Sequence, residues 1–409
     1  MGAEHPPYVP KGCRVRIVAD ANIPLLAEAV GPLGEVVALP AERITADVVR
    51  DADALLVRSV TKVDKALLAG SRVRFVATAT IGFDHIDQAY LASQGIGFAY
   101  APGSNARSVA EYVLAAIFTL AEKDNFRVTD KVLGIVGCGN VGGRLARLAE
   151  GIGMRVLRND PPLARKTGDP RYLPIEALAE ADIVTFHVPL ARSGPDATYH
   201  MINDHRLAAM KRGAAILNSS RGSVADSAAL KKAVDAGRIG ALVLDVWEGE
   251  PNIDLDLLGR AQLATPHIAG YSYDGKINGT RMVMEAMCRH FGLAREWDPM
   301  PLMPPPAVPR VRVPGLPRRR PGEPGGLAAQ QVLRRAIRAA YDIEADDAHL
   351  REIAGRPAEE RGKFFSTLRK KYPVRREFPS MTVELERRDA AVEAALKALD
   401  FCVTVGSNI

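Results

Sequence analysis

Three ionisable residues, far apart along a chain of 409, are of the types that an alcohol oxidation requires. Arg221 follows the apolar run AAILNSS, Glu250 lies a few residues past ALVLDVW, and His267 follows QLATP. Turning an alcohol into a ketone takes a hydride acceptor and a base for the hydroxyl proton. Imidazole is the side chain whose ordinary range suits that exchange near neutral pH. A carboxylate beside it orients the ring and stabilises its charged form. A guanidinium holds a substrate carboxylate through a planar bidentate pair and polarises the oxygen that becomes the carbonyl. Each residue alone has a plainer reading: a turn histidine, an ion-pairing arginine in SSRGS, a solvated glutamate in EGEP. Their shared position at the ends of apolar strand-like runs argues for chemistry, because open parallel sheets bind ligands outside the carboxyl ends of their strands. His187 in TFHVPL ends another such run and reads as lining the cofactor cleft.

The hydride acceptor has its own signal. GIVGCGNVG places Gly137, Gly139 and Gly142 in a G-x-G-x-x-G spacing, with Asn140 and Val141 completing the loop. An apolar strand precedes it and a helix follows, so backbone N–H groups and a helix N-terminus face a pyrophosphate. Asp160 ends the next strand-like run, RVLRND. A carboxylate there accepts from ribose hydroxyls and repels a 2′-phosphate, so NAD is expected rather than NADP. Arg158, two residues earlier, is the one dissenting feature, since an arginine nearby can hold that phosphate.

Chemistry of this kind needs a scaffold of alternating strands and helices. Residues 14 to 20, LGEVVALP, ADALLVRS, VRFVATAT and IGFAYAP read as strands, separated by helix-like segments such as IPLLAEAV and TKVDKALLAG. Residues 104 to 124 read as a core helix with an almost continuous apolar body. A second alternating set starts at KVLGIVG and runs through ADIVTFHVPL, GAAILNSS, ALVLDVW and QLATPHIAG. Alternation of this sort predicts parallel sheets covered on both faces. Residues 266 to 280, PHIAGYSYDGKINGT, look too irregular for a strand and too glycine-rich for a helix. RMVMEAMCRHFGLAREW is helical. The fold class expected is α/β, with two doubly wound parallel-sheet (Rossmann-like) domains plus a small C-terminal α+β domain. The expected boundaries are 14–103 with 282–300 for a substrate-binding lid, 104–281 for the NAD-binding domain, 301–326 for a linker and 327–409 for the last domain. GLAAQQVLRRAIRAAYDI and DAAVEAALKALDF read there as helices, and SMTVELE and FCVTVG as strands.

Composition narrows the rest. With 47% hydrophobic and 25% charged residues, the chain has the balance of a globular protein. It has no 18-residue apolar run for a membrane span, and MGAEHPPYVPKG has no apolar core of a signal peptide. Cys13, Cys138, Cys288 and Cys402 are scattered and form no metal pattern, which suits a reducing cytoplasm and predicts no metal. The net charge of +6 gathers partly in PRVRVPGLPRRRPGEPGG, residues 309 to 326, read as a solvated spacer rather than a nucleic-acid surface.

VRSVTKV, GFDHID, GCGNVG, NSSRGSVAD, DVWEGEP and TPHIAG together resemble the D-isomer-specific 2-hydroxyacid dehydrogenase family over about residues 14 to 295. GYSYDGKINGT after TPHIA, with VRSVTKVDKALLAG early and DVWEGEP late, resembles the branch of that family acting on a phosphorylated four-carbon sugar acid in vitamin B6 synthesis. The resemblance implies that Arg221, Glu250 and His267 are the catalytic set, with His267 transferring the proton. It places Ser59, Thr80 and Tyr271 at the substrate, and Asp160, Val188, Ser219, Asp245 and Gly270 at NAD. Val188 stands where a close relative has threonine, a change that a backbone contact would survive. The resemblance also implies a homodimer formed through the C-terminal domain. A substrate carrying both carboxylate and phosphate needs a second cation beside Arg221. Arg58 is the first choice, then Lys276 and Arg281, and then Arg375 or Arg376 of the partner subunit. The first unit is expected to close on the second as a lid. The alternatives are a dehydrogenase of 3-phosphoglycerate or another 2-hydroxy acid and, in a different class, an NAD-sensing regulatory protein on the same fold.

Overall fold

A computed structural model describes residues 15–313 and 326–406. Cys13, the N-terminal dozen residues and most of the arginine- and proline-rich run lie outside the described residues. The chain divides into two units.

The first unit contains 15–105 and 273–304. Its strands are β1 (Val15–Asp20), β2 (Gly34–Leu39), β3 (Ala54–Val57), β4 (Phe75–Thr78) and β5 (Gly97–Tyr100). All pair in parallel in the order β2-β1-β3-β4-β5. Because side chains alternate across a strand, neighbours enter different cores. Leu55 and Val57 pack with Val18, Leu67 and Leu91, while Ala54 and Leu56 pack with Ile17 and Phe75. Met284, Met287 and Phe291 close the second face. Both faces are therefore covered, which is why these strands read as unbroken apolar runs.

The last three residues belong to a helix spanning Tyr273–Phe291, and this corrects one expectation. By sequence, residues 266 to 280 look too glycine-rich for a helix, yet the helix begins within them, at Tyr273. In the structure Gly275 and Gly279 are buried within it. A Cβ at Gly279 would come within 2.8 Å of the Ala79 carbonyl oxygen. The glycine is there for close approach to the end of β4, and packing outweighs its poor helix propensity.

The second unit contains 106–272 and the described residues from 305 onward. Its main sheet has β6 (Val132–Val136), β7 (Arg155–Asn159), β8 (Ile183–Phe186), β9 (Ala214–Asn218), β10 (Ile239–Leu244) and β11 (Leu263–Ala264). The order is β11-β10-β9-β8-β6-β7, all parallel. Strand order reverses between β6 and β8, which makes that crevice the switch point where such sheets hold ligands. The helix Ala106–Lys123 is buried at every position from Ser108 to Ala121, as its apolar body implied.

The C-terminal part adds a parallel sheet in the order β12-β13-β14, from Arg310–Val313, Thr382–Leu385 and Cys402–Val405. Strand β12 corrects the reading of residues 301–326 as linker throughout. RVRV alternates valine with arginine, and the valines face the core while the arginines stay exposed or paired. Val332, Ile337, Phe378 and Leu396 share one core with Val113, Leu120 and Leu148, and Leu350 and Phe365 join the core beneath β8 to β10. Among the described residues, no helix is long and apolar enough to cross a membrane, and no cluster of His, Cys, Asp and Glu could hold a metal.

Candidate active site

The glycine loop leaves β6 at the switch point. Gly137 has φ +86°, and a Cβ on it would lie 2.5 Å from the His187 carbonyl oxygen at the end of β8. A Cβ on Gly142 would lie 2.0 Å from the Gly137 carbonyl oxygen, so this glycine lets the helix Asn140–Gly151 close on the loop. A Cβ on Gly139, by contrast, meets nothing within 4 Å. The protein's own packing does not require that glycine, whereas a pyrophosphate approaching the loop does. Asn140 and Val141 open the helix, and Val188 lies half-buried beside Gly137.

Asp160 ends β7 as expected. One carboxylate oxygen accepts from the Cys138 N–H at 2.8 Å and the other caps the helix Pro161–Thr167 through the Leu163 N–H at 2.9 Å. The acid is thus fixed beside the glycine loop. Arg158 is committed elsewhere: its guanidinium pairs with Glu150 at 2.7 Å and its side chain is 15% exposed. This removes the feature that argued for a 2′-phosphate. The Ser219 hydroxyl is buried and has no hydrogen-bond partner among the described residues, as suits a group reserved for a ligand. Burial pushes the His187 imidazole down to about 3, so it is a neutral ring, and it meets the Thr185 hydroxyl at 3.1 Å. These features fit NAD.

The acid–base pair is assembled from two loops. Glu250 follows β10 and His267 follows β11. His267 Nδ1 lies 2.6 Å from Glu250 Oε1. Burial raises the Glu250 carboxyl, but the hydrogen bond and charge of His267, with help from Arg369, outweigh it and hold the carboxyl below its ordinary value. An ionised Glu250 only accepts, so Nδ1 carries the hydrogen and donates it. Nε2 is left to take a proton.

His267 sits at φ +57°, a left-handed conformation that non-glycine residues adopt only when their surroundings impose it. Here Asp245 imposes it. It is 1% exposed, and its oxygens accept from the Thr265 hydroxyl at 2.7 Å and from the Ile268 and Ala269 N–H groups at 2.7 and 3.0 Å. Its carbonyl accepts from the His267 N–H at 2.7 Å. Since the Thr265 hydroxyl donates to Asp245, the Tyr112 hydroxyl donates to Thr265, at 2.9 Å. Trp247 Nε1 donates to the Thr265 carbonyl at 2.9 Å. Tyr112, Trp247 and Thr265 were absent from the sequence reading, and nothing local in the sequence reveals partners this distant.

Arg221 lies in the turn after β9. Gly222 beside it allows that turn to press on the loop carrying Glu250, since a Cβ there would fall 2.1 Å from the Trp247 carbonyl. Gly270 and Tyr271 follow the histidine directly, and the Tyr271 N–H closes a turn on the Ile268 carbonyl at 2.8 Å. The first unit holds its own group at the ends of adjacent strands. Arg58 and Ser59 follow β3, and Thr80 follows β4 with its hydroxyl 2.7 Å from that of Thr78. Arg58 Nη1 donates to the Asn22 carbonyl at 2.9 Å. Arg281 is exposed and faces Glu285 on its own helix at 3.9 Å. Arg375 and Arg376, considered as anion holders, are each only 7% exposed. Arg375 donates to the Ala269 carbonyl at 2.6 Å and stacks over Tyr341, so its charge clamps the histidine loop of its own chain.

A dinucleotide fold without a base would only bind, and a base without a hydride acceptor would oxidise nothing. Combined on one sheet edge, they define a dehydrogenase of hydroxy acids. Residues 106–269 match the family model of the D-isomer specific 2-hydroxyacid dehydrogenase NAD binding domain, and 323–399 match a domain of unknown function. Erythronate-4-phosphate dehydrogenase of Serratia proteamaculans (strain 568) is 44% identical over 388 residues, covering 95% of this chain and 99% of that one. The enzyme of the same name from Edwardsiella ictaluri (strain 93-146) is 45% identical, with 95% and 99% covered. Among solved structures, NAD-bound 3-phosphoglycerate dehydrogenase of Entamoeba histolytica is 26% identical with a TM-score of 0.57, over 68% of this chain and 95% of that one. D-lactate dehydrogenase of Aquifex aeolicus, complexed with NAD and lactic acid, is 26% identical with a TM-score of 0.53, over 66% and 94%. The chain belongs to the erythronate-4-phosphate dehydrogenase family, and it is an NAD-dependent dehydrogenase.

Proposed function

We propose that the chain oxidises 4-phospho-D-erythronate at C2, giving 3-hydroxy-2-oxo-4-phosphooxybutanoate in the synthesis of pyridoxal 5′-phosphate. The observation that carries the chemistry is the 2.6 Å contact between His267 Nδ1 and Glu250, which leaves Nε2 as the proton acceptor. The hydroxyl proton passes to Nε2 and the C2 hydrogen leaves with its electron pair. NAD, when bound, supplies the acceptor for that hydride. Glu250 stabilises the imidazolium that results. Arg221 holds the C1 carboxylate and polarises the C2 oxygen, and holding it oriented is itself a large part of the rate gain. The glycine loop, Asp160, Val188, Ser219 and Gly270 hold the cofactor. Asp245 acts on the same region by fixing the loop of His267, Gly270 and Tyr271. Arg58, Ser59, Thr80 and Tyr271 are assigned to the substrate.

We further assign the C-terminal segment to a homodimer interface and the protein to the cytoplasm. The relatives' name and the near-complete coverage of their length support the substrate. The test mixes purified protein and NAD with 4-phosphoerythronate and, separately, with 3-phosphoglycerate, following absorbance of the reduced nicotinamide. A kcat/KM at least tenfold higher for 4-phosphoerythronate is expected. Preference for 3-phosphoglycerate would overturn the substrate assignment. If neither these two nor any other 2-hydroxy acid is turned over, a regulatory protein that senses NAD is favoured instead.

A further inference from the structure

The substrate proposed above has two anionic ends, and Arg221 accounts for one. The C-terminal segment brings a second guanidinium to the same site within the same unit. The helix Ala358–Lys370 packs its fully buried Phe365 into the core beneath β8 to β10. Its Gly362 abuts the loop that follows Glu250, where a Cβ would lie 2.5 Å from Asn252 Oδ1. This docking fixes the last turn of the helix and delivers Arg369 to the edge of the acid–base pair. The Arg369 guanidinium carbon lies 5.7 Å from the centroid of the Tyr271 ring. Its charge also helps hold the Glu250 carboxyl low.

Arg369 differs from the other arginines nearby. Arg375 donates to the Ala269 and Ser108 carbonyls, and Arg158 pairs with Glu150. Arg369 Nε is sealed from solvent and has no hydrogen-bond partner among the described residues. A guanidinium N–H deprived of both water and protein acceptors is costly, and such groups in native proteins call for a ligand or another explanation. The aromatic face of Tyr271 offsets part of the lost hydration. The cofactor's pyrophosphate has its own place at Gly137 to Gly142, on the far side of the switch point from this loop. The remaining anion is the one on the substrate.

We propose that Arg369, carried by the C-terminal segment and seated on Tyr271, binds the terminal phosphate of the substrate in cis. The C-terminal segment, matched only to a domain of unknown function, thereby takes part in substrate selection. Phosphate specificity is split from the chemistry: Arg221 and the His267–Glu250 pair act at C1 and C2, and Arg369 reads the other end. The inference rests on the phosphorylated substrate proposed above, so its test separates the two ideas. Arg369→Ala and Arg369→Lys are compared with the parent on 4-phosphoerythronate and on erythronate without phosphate, together with calorimetric titration of inorganic phosphate into the NAD-loaded protein. The ratio of kcat/KM for the phosphorylated over the unphosphorylated acid is expected to fall about 10- to 100-fold in Arg369→Ala, as for loss of a charge-assisted contact. Lysine restores part of the ratio, because it supplies the charge without the fork. A ratio within twofold of the parent in the alanine variant overturns the proposal, as does an equal loss on both acids. Should the parent turn over neither acid, the proposed reaction falls and the phosphate titration decides alone. Weaker phosphate binding in Arg369→Ala supports the phosphate site, and unchanged binding overturns it.

Discussion

Replacing Glu250 by glutamine removes one charge and keeps the shape. In the parent, an ionised carboxylate accepts from His267 Nδ1 at 2.6 Å and leaves Nε2 unprotonated. A hydrogen bond to a charged group contributes about 1.5–3 kcal/mol. Much of that contribution grows as the ring becomes positive in the transition state, and each 1.36 kcal/mol is roughly tenfold in rate. If the glutamine oxygen faces Nδ1, kcat/KM therefore falls about 10- to 100-fold. If its amide nitrogen faces Nδ1, the ring adopts the other tautomer and the loss approaches the full general-base contribution, about 10²- to 10⁴-fold. Glu250 is held below its ordinary carboxylate value, so it stays ionised through mildly acidic pH, and the deficit should persist from about pH 5 to pH 8. Steady-state kinetics across that range, with NAD affinity from fluorescence titration and Tm from calorimetry, make the assay. NAD affinity within about twofold is expected. A kcat/KM within threefold of the parent in a folded variant would refute the reasoning, as would a deficit that vanishes near pH 5.

Three further outcomes follow from the geometry. Gly139→Ala meets no neighbour, whereas Gly142→Ala meets the Gly137 carbonyl oxygen at 2.0 Å. The first should weaken NAD binding about tenfold or more with Tm unchanged, and the second should lower stability by about 1–3 kcal/mol, both readable by calorimetry. Asp160→Ala should narrow the preference for NAD over NADP in kcat/KM, at a cap cost of about 1 kcal/mol in stability, and an unchanged preference would count against its ribose role. Glu111 is raised well above its ordinary value by burial and by the neighbouring Glu377 carboxylate. Its folded-state pKa exceeds the unfolded one, so folding takes up a proton. Its contribution to stability is complete below the ordinary carboxylate range and is lost as pH rises toward the folded value. Glu111→Gln should flatten the fall in Tm as pH rises above the ordinary carboxylate range, and a parallel curve would contradict the shift.

The readable parts of this sequence were those written in local pattern. Buried parallel strands such as ALLV and AAILN are continuous apolar runs, and the glycine loop joins a strand to a helix, so both sheets and the cofactor edge were legible. The meeting of Glu250 with His267 could be anticipated because each residue follows such a strand. What escaped depended on distant partners. The helix starting at Tyr273 was obscured by Gly279, whose reason is the Ala79 carbonyl two hundred residues away. Strand β12 sits among prolines and arginines and becomes a strand only against β13. The packing of residues from 327 onward is likewise unreadable from sequence, because their side chains share cores with residues of the main sheet. The left-handed turn at His267 was illegible for the same reason, since its cause is Asp245 with Thr265 and Tyr112 behind it. Arg369, in LRKKY, reads locally as the basic end of a helix favoured by the dipole.

The most direct test is a single-turnover measurement of hydride transfer from 4-phosphoerythronate to NAD, comparing the parent with His267→Asn at saturating substrate. If the imidazole takes the hydroxyl proton, the transfer rate drops about 10²-fold or more while NAD binding is retained. An asparagine variant that binds NAD normally and transfers hydride at the parent's rate would contradict it.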